Sequence, residues 1–168
     1  MWSSEVTNMI ITGIWETLYM TLVSTLVGYV IGLPMGILLT VTDKDGIHPN
    51  AAVYKVLDVI ANLIRSVPFL ILLIVLIPFT RFLIGRSYGP TATIVPLVIA
   101  AAPYIARMVE SSLKEVDAGV IEAARSMGAS NFTIVTKVML VEARTSLIVG
   151  ATISLGTILG YSAMAGTV

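Results

Sequence analysis

The 168-residue chain is 57% hydrophobic and 12% charged, with a mean hydropathy of +0.95. A soluble domain carries about 25% charged residues, and a chain this apolar cannot hide its surface from water at this size, so its solvent is lipid for much of its length. Its ten basic and ten acidic residues cancel, leaving no bulk field for nucleic acid, and the absence of cysteine excludes disulfides, thiolate zinc sites and cysteine nucleophiles.

Crossing about 30 Å of hydrocarbon takes about 20 helical residues. Residues 18–42 hold no charge and form the first expected span. The preceding residues carry Glu5 and Glu16 but no Lys or Arg, unlike the basic start of a secretory signal, so this segment is expected to remain in the protein. Gly28, Gly32 and Gly36 recur every fourth residue, a spacing that lets helix backbones approach closely in lipid. The second expected span is the charge-free stretch 66–80, with 53–65 leading into it. The third runs over 91–106 and continues helically to Met108, and the fourth is 145–168, where Gly156 and Gly160 repeat the small-residue spacing. The fold class is therefore all-α: an integral membrane bundle of four spans in one domain, 1–168. Pro34, Pro68, Pro78, Pro96 and Pro103 lie in or beside spans, which neighbouring helices make tolerable. No span has an acid, base or His near its midpoint, which argues against a proton relay or an intramembrane hydrolase.

Orientation follows from Lys and Arg between the spans. Lys44, Lys55 and Arg65 fall in the first connection and Arg107, Lys114, Arg125, Lys137 and Arg144 in the third, against Arg81 and Arg86 in the second. The positive-inside rule puts the first and third connections in the cytoplasm and the N-terminus outside.

The third connection, 107–144, is too long to lack structure of its own. Asp117 is placed to N-cap a short helix, 118–127, and Gly128 to end it in a left-handed conformation. Val116, Val120, Ala124 and Met127 make one apolar stripe, and Glu122 and Arg125 are spaced to pair. Ser130 can cap a second helix through Phe132, Ile134, Val135 and Val138. A helix lying on lipid headgroups prefers a basic polar face, whereas this one mixes Glu115, Asp117, Glu122 and Arg125, so a protein partner is the better reading.

Glu122-Ala123-Ala124, then Gly128, Val138 and Leu140, resembles the EAA motif of ABC importer permeases. Trp15-Glu16-Thr17-Leu18, Gly32-Leu33-Pro34, Arg65-Ser66-Val67-Pro68-Phe69 and Gly160-Tyr161-Ser162-Ala163-Met164 resemble the permease subunits of methionine importers in particular, as do 77–81 and 102–110. The resemblance spans nearly the whole chain. It implies a bacterial inner-membrane homodimer of five-span subunits, two cytoplasmic ATPase subunits and an extracytoplasmic methionine-binding lipoprotein. It further implies that the short helix is the coupling helix, with Glu122, Ala123 and Gly128 carrying coupling and Asp117, Ala124 and Met127 supporting the docking helix. The chain has no G-x-x-x-x-G-K-[ST] phosphate loop, so it is expected to bind no cofactor and catalyse nothing, with ATP and Mg on the partner ATPase. Two features depart from the family. Val141 replaces the proline that usually ends the motif, which points to a looser bend into the last span. The family also continues with a glycine-rich segment and a fifth helix, so this chain is expected to be a fragment. A permease for another amino acid shares the motif and stays open, as does a membrane assembly protein that transports nothing.

Overall fold

A computed structural model describes residues 3–166. The first helix, α1 (Ser4–Thr42), is 39 residues long, about 58 Å at 1.5 Å per residue, and outruns the hydrocarbon core. It starts well before the expected span because Ser3 Oγ accepts from the Val6 amide at 3.4 Å and Glu5 sits in the first turn. Both satisfy the free amides and positive end of a helix N-terminus. A charge-free window marks what lies in lipid, not where a helix begins.

The second expected span is a bent pair. Helix α2 (Ala51–Ser66) and helix α3 (Phe69–Val75) meet at 102° across Val67 and Pro68. Pro68 supplies no amide and holds Val67 extended at φ −86°, ψ 125°, which ends α2. Helix α4 (Ile77–Ile84) follows, with Pro78 in its first turn, where a missing amide costs no hydrogen bond. Helix α5 (Pro90–Lys114) runs past the expected limit to Lys114, and helix α9 (Arg144–Ala165) is the last. Between them lie α6 (Ala118–Ser126), α7 (Asn131–Thr133), a π-helical stretch Ile134–Met139 and α8 (Leu140–Glu142). Among the described residues, α1, α5 and α9 are long and apolar enough to span a membrane, and the bent α2–α3 pair makes a fourth if it counts as one span.

Helix α5 is the hub. Its Leu97, Ala101, Ile105, Val109 and Leu113 are 0–1% exposed. The glycine stripe of α1 lies directly on it: a Cβ at Gly28 would sit 3.1 Å from Ala101 Cβ, one at Gly32 2.6 Å from the Ala102 carbonyl oxygen, and one at Gly36 2.5 Å from the Ala106 carbonyl oxygen. Partners advance together along both helices, so α1 and α5 run parallel with their backbones in contact. Gly156 and Gly160 differ, since a Cβ at either would meet nothing within 4 Å among the described residues. Among the described residues, the spacing on α1 is spent on close packing and that on α9 is not. Helix α9 joins through Ile158, a 2.9 Å Ser146–Ser112 hydroxyl hydrogen bond and a Phe69–Tyr161 ring stack at 4.7 Å. Most other apolar side chains of α1 and α9 face outward, as lipid-exposed surfaces do.

Candidate coupling site

The connection between α5 and α9 folds into a compact knob. Asp117 is extended at φ −61°, ψ 129°, and its Oδ1 accepts from the Gly119 amide at 2.7 Å, as expected of an N-cap. The other end closes in a Schellman turn: Gly128 takes φ +81°, its amide donates to the Arg125 carbonyl at 3.0 Å, and the Ala129 amide donates to the Ala124 carbonyl at 3.1 Å. Gly128 is thus needed for its backbone, since a Cβ there would meet open space.

The buried face of α6 differs from the expected stripe. Ala124 is 6% exposed and Ile121 packs against the core, while Val120 is 41% and Met127 82% exposed. Met127 sits at the C-cap, beyond the last regular turn, so helical periodicity no longer directs it inward. Glu122 and Arg125 do not pair either. Arg125 Nη2 turns to the Ile47 carbonyl in the α1–α2 connection at 2.9 Å, where it finds a partly covered acceptor. Glu122 and Ala123 are exposed, and Glu122 has no ion-pair partner among the described residues. Of the expected site residues, Asp117 and Gly128 shape the helix, Ala124 anchors it, and Glu122, Ala123 and Met127 face outward.

Beneath α6, Ser130 caps the next helix by accepting from the Thr133 amide at 3.3 Å. The π-helical stretch then carries the Leu140 amide to the Val135 carbonyl five residues back. That winding puts Ile134 and Met139, five apart, on one buried face at 0% and 3% exposure. Val141, where the motif usually has proline, is 49% exposed. Backbone bonding carries on across Ala143, whose amide donates to Met139 and whose carbonyl accepts from Leu147, both at 2.9 Å. Backbone hydrogen bonds on both sides of Ala143 thus bridge the passage into α9. A cavity of about 510 Å³ lies between the knob and the α1–α2 connection, lined in part by Asp43, Ile47, Lys114, Ile121, Glu122 and Arg125.

One cluster was not foreseen. Glu110, 5% exposed, accepts from Arg107 Nη1 at 2.7 Å and from Lys114 Nζ at 2.8 Å. Lys114 also meets Asp43 at 2.6 Å, and Arg107 Nη2 binds the Asp58 carboxylate and donates to Asn62 Oδ1 at 3.1 Å. The hydrogen bond from the Lys114 ammonium holds the Asp43 carboxyl below its ordinary range. The spacing of Arg107, Glu110 and Lys114, three and four apart on one helix, was a readable signal for their pairing. Asp43 and Asp58 arrive from other helices and left no such trace.

Residues 28–168 match the family described as binding-protein-dependent transport system inner membrane component. The chain is 53% identical over 158 residues to the D-methionine transport system permease protein MetI of Salmonella typhimurium and, equally, to that of Escherichia coli K12, covering 94% of this chain and 73% of each relative. Two solved structures described as inward facing conformations of the MetNI methionine ABC transporter align with TM-scores of 0.96 and 0.97 at 51% identity, over 99% of this chain and 77% of theirs. An amino acid ABC transporter with histidines, 24% identical with a TM-score of 0.77, shares the fold.

Proposed function

The chain belongs to the family of binding-protein-dependent transport system inner membrane components, and from that premise we propose that it is the permease subunit of an ATP-binding-cassette importer that moves methionine or a related amino acid inward. Two copies form the pathway, two ATPase subunits dock below it, and a methionine-binding lipoprotein delivers substrate from outside. ATP and Mg belong to the ATPase. The N-terminus lies outside and the knob in the cytoplasm, consistent with the distribution of Lys and Arg. The close likeness to inward-facing relatives supports reading this conformation as inward facing.

The observation that carries this reading is the build of the knob: a nine-residue helix closed at both ends by its own polar groups, with Glu122, Ala123 and Met127 presented outward. Such a helix suits a socket on a partner. The ATPase pair closes on ATP, draws the two knobs together, and the pull passes through the π-helical stretch and Ala143 into α9. ATP stabilises the closed state more than the open one, which shifts the population of transport conformations. Asp117 and Gly128 keep the knob rigid enough to transmit that shift, and Ala124 and Ile121 tie it to the bundle.

The test is reconstitution of the chain with the ATPase subunits and binding protein in liposomes, with Glu122→Cys as a crosslinking site. The expected result is ATP-dependent uptake of labelled methionine and a crosslink from position 122 to the ATPase. An assembled complex that shows no crosslink at any linker length rejects the docking role, and uptake of a different amino acid instead of methionine rejects the substrate.

A further inference from the structure

The charged cluster that joins the end of α1 and the middle of α2 to the last turns of α5 plays no part in the docking scheme above, yet it links elements held in very different ways. The α1–α5 seam is fixed by backbone contact at Gly32 and Gly36 and leaves no room to slide. Helix α2 has no such seam: among its described residues Ala61 alone is fully buried, Leu57 and Ile64 are half-covered, and its polar hold on α5 runs through Asp58, Asn62 and a Tyr54 hydroxyl 3.5 Å from Glu110.

Resting on the importer reading for its consequence, we propose that the Asp58–Arg107 contact is a latch that holds α2 against the α1–α5 unit in the inward-facing state and parts when the transporter turns outward. Both are positioning residues. The electrostatics favour a contact that opens over a permanent anchor. When Asp58 leaves, Arg107 keeps Glu110, three residues along its own helix, so no cation is stranded in a low dielectric. Asp58 has a side chain 31% exposed and rehydrates readily. Glu110 in turn stays neutralised by Lys114 from the same helix. The helix that departs carries away one carboxylate with access to solvent, and the α1–α5 unit that remains sets Arg107 and Lys114 against Glu110 and Asp43, two charges of each sign. The far end of the cluster, Lys114 with Asp43, lines the same cavity as Glu122 of the coupling helix, so the cluster to which the latch belongs reaches the knob.

The test uses the whole complex in liposomes, spin-labelled through Val59→Cys on α2 and Ser111→Cys on α5, two exposed positions. One distance is expected without nucleotide and a second when ATP is trapped with vanadate. Asp58→Asn, which keeps an acceptor oxygen but loses the charge, is expected to raise the population at the second distance relative to that at the first about fivefold without nucleotide, the low end of a coupling between sites. It should also raise substrate-independent hydrolysis relative to uptake, and Asp58→Glu should restore both. A distance that ignores trapped ATP overturns the latch, as does an Asp58→Asn complex indistinguishable from wild type. If Asp58→Asn does not assemble, the response of the otherwise unaltered labelled pair decides alone. A wild-type complex that hydrolyses ATP without taking up methionine overturns the substrate reading instead, and the distances still decide the latch.

Discussion

The α1–α5 seam and the knob around α6 are both helical and both organised by glycine, yet glycine acts in opposite ways in the two. At Gly32 and Gly36 it is an absence: the missing side chain lets one backbone lie on another, with the Ala102 and Ala106 carbonyls where a Cβ would be. In lipid, where apolar side chains gain little by meeting each other, such contact is a principal source of cohesion. At Gly128 there is open space around the backbone, and what matters is the positive φ of +81°. The seam is made rigid by what surrounds it. The knob carries its order within itself, in an N-cap and a Schellman turn, because its outer face is left bare.

That contrast sets the size of what substitution should do. Gly36→Leu forces a side chain into the Ala106 carbonyl and Val109, and overpacking of this severity is expected to cost about 3 kcal/mol or more. Thermal unfolding of the purified permease in detergent should show a large loss, and an unchanged midpoint would mean the helices part easily. Gly128→Val meets no neighbour, so its cost is that of a β-branched residue held at positive φ, about 2 kcal/mol confined to the turn. The permease should fold and its complex with the ATPase subunits should hydrolyse ATP while uptake per ATP falls, and uptake at the wild-type ratio would show that the turn does not transmit force. Asp117→Ala removes a single capping bond, worth about 1 kcal/mol. Faster hydrogen exchange at the Gly119 amide, with global stability unchanged, is the outcome that fits a knob ordered from within.

Much of this was legible locally. The caps at Asp117 and Ser130, the stop at Gly128 and the close-packing spacing of Gly28, Gly32 and Gly36 are short-range signals, and the structure places each where its chemistry asks. Five prolines in or beside spans looked alike in sequence, but Pro68 alone marks the 102° bend: Pro34, Pro96 and Pro103 lie inside continuous helices, and Pro78 sits in the first turn of α4, just past the break at Leu76. Whether a proline breaks a helix depends on what surrounds the freed carbonyl, and that is not written beside it. The stripe through Val120 and Met127 failed for a related reason. Periodicity names a face but not the side of the molecule it meets, and here the bundle reaches Ile121 and Ala124 instead.

Residue chemistry along the chain was enough to assign lipid as the solvent, the long apolar helices and the capped knob, because each depends on neighbours within a turn or two. Which helices touch, where the second span bends, that Arg125 chooses Ile47 over Glu122, and that Asp43 and Asp58 close a charge network on α5 were settled only when distant segments met. The reason is physical: a buried charge must be neutralised by whatever the fold brings within reach, and reach in space has no fixed relation to separation along the chain.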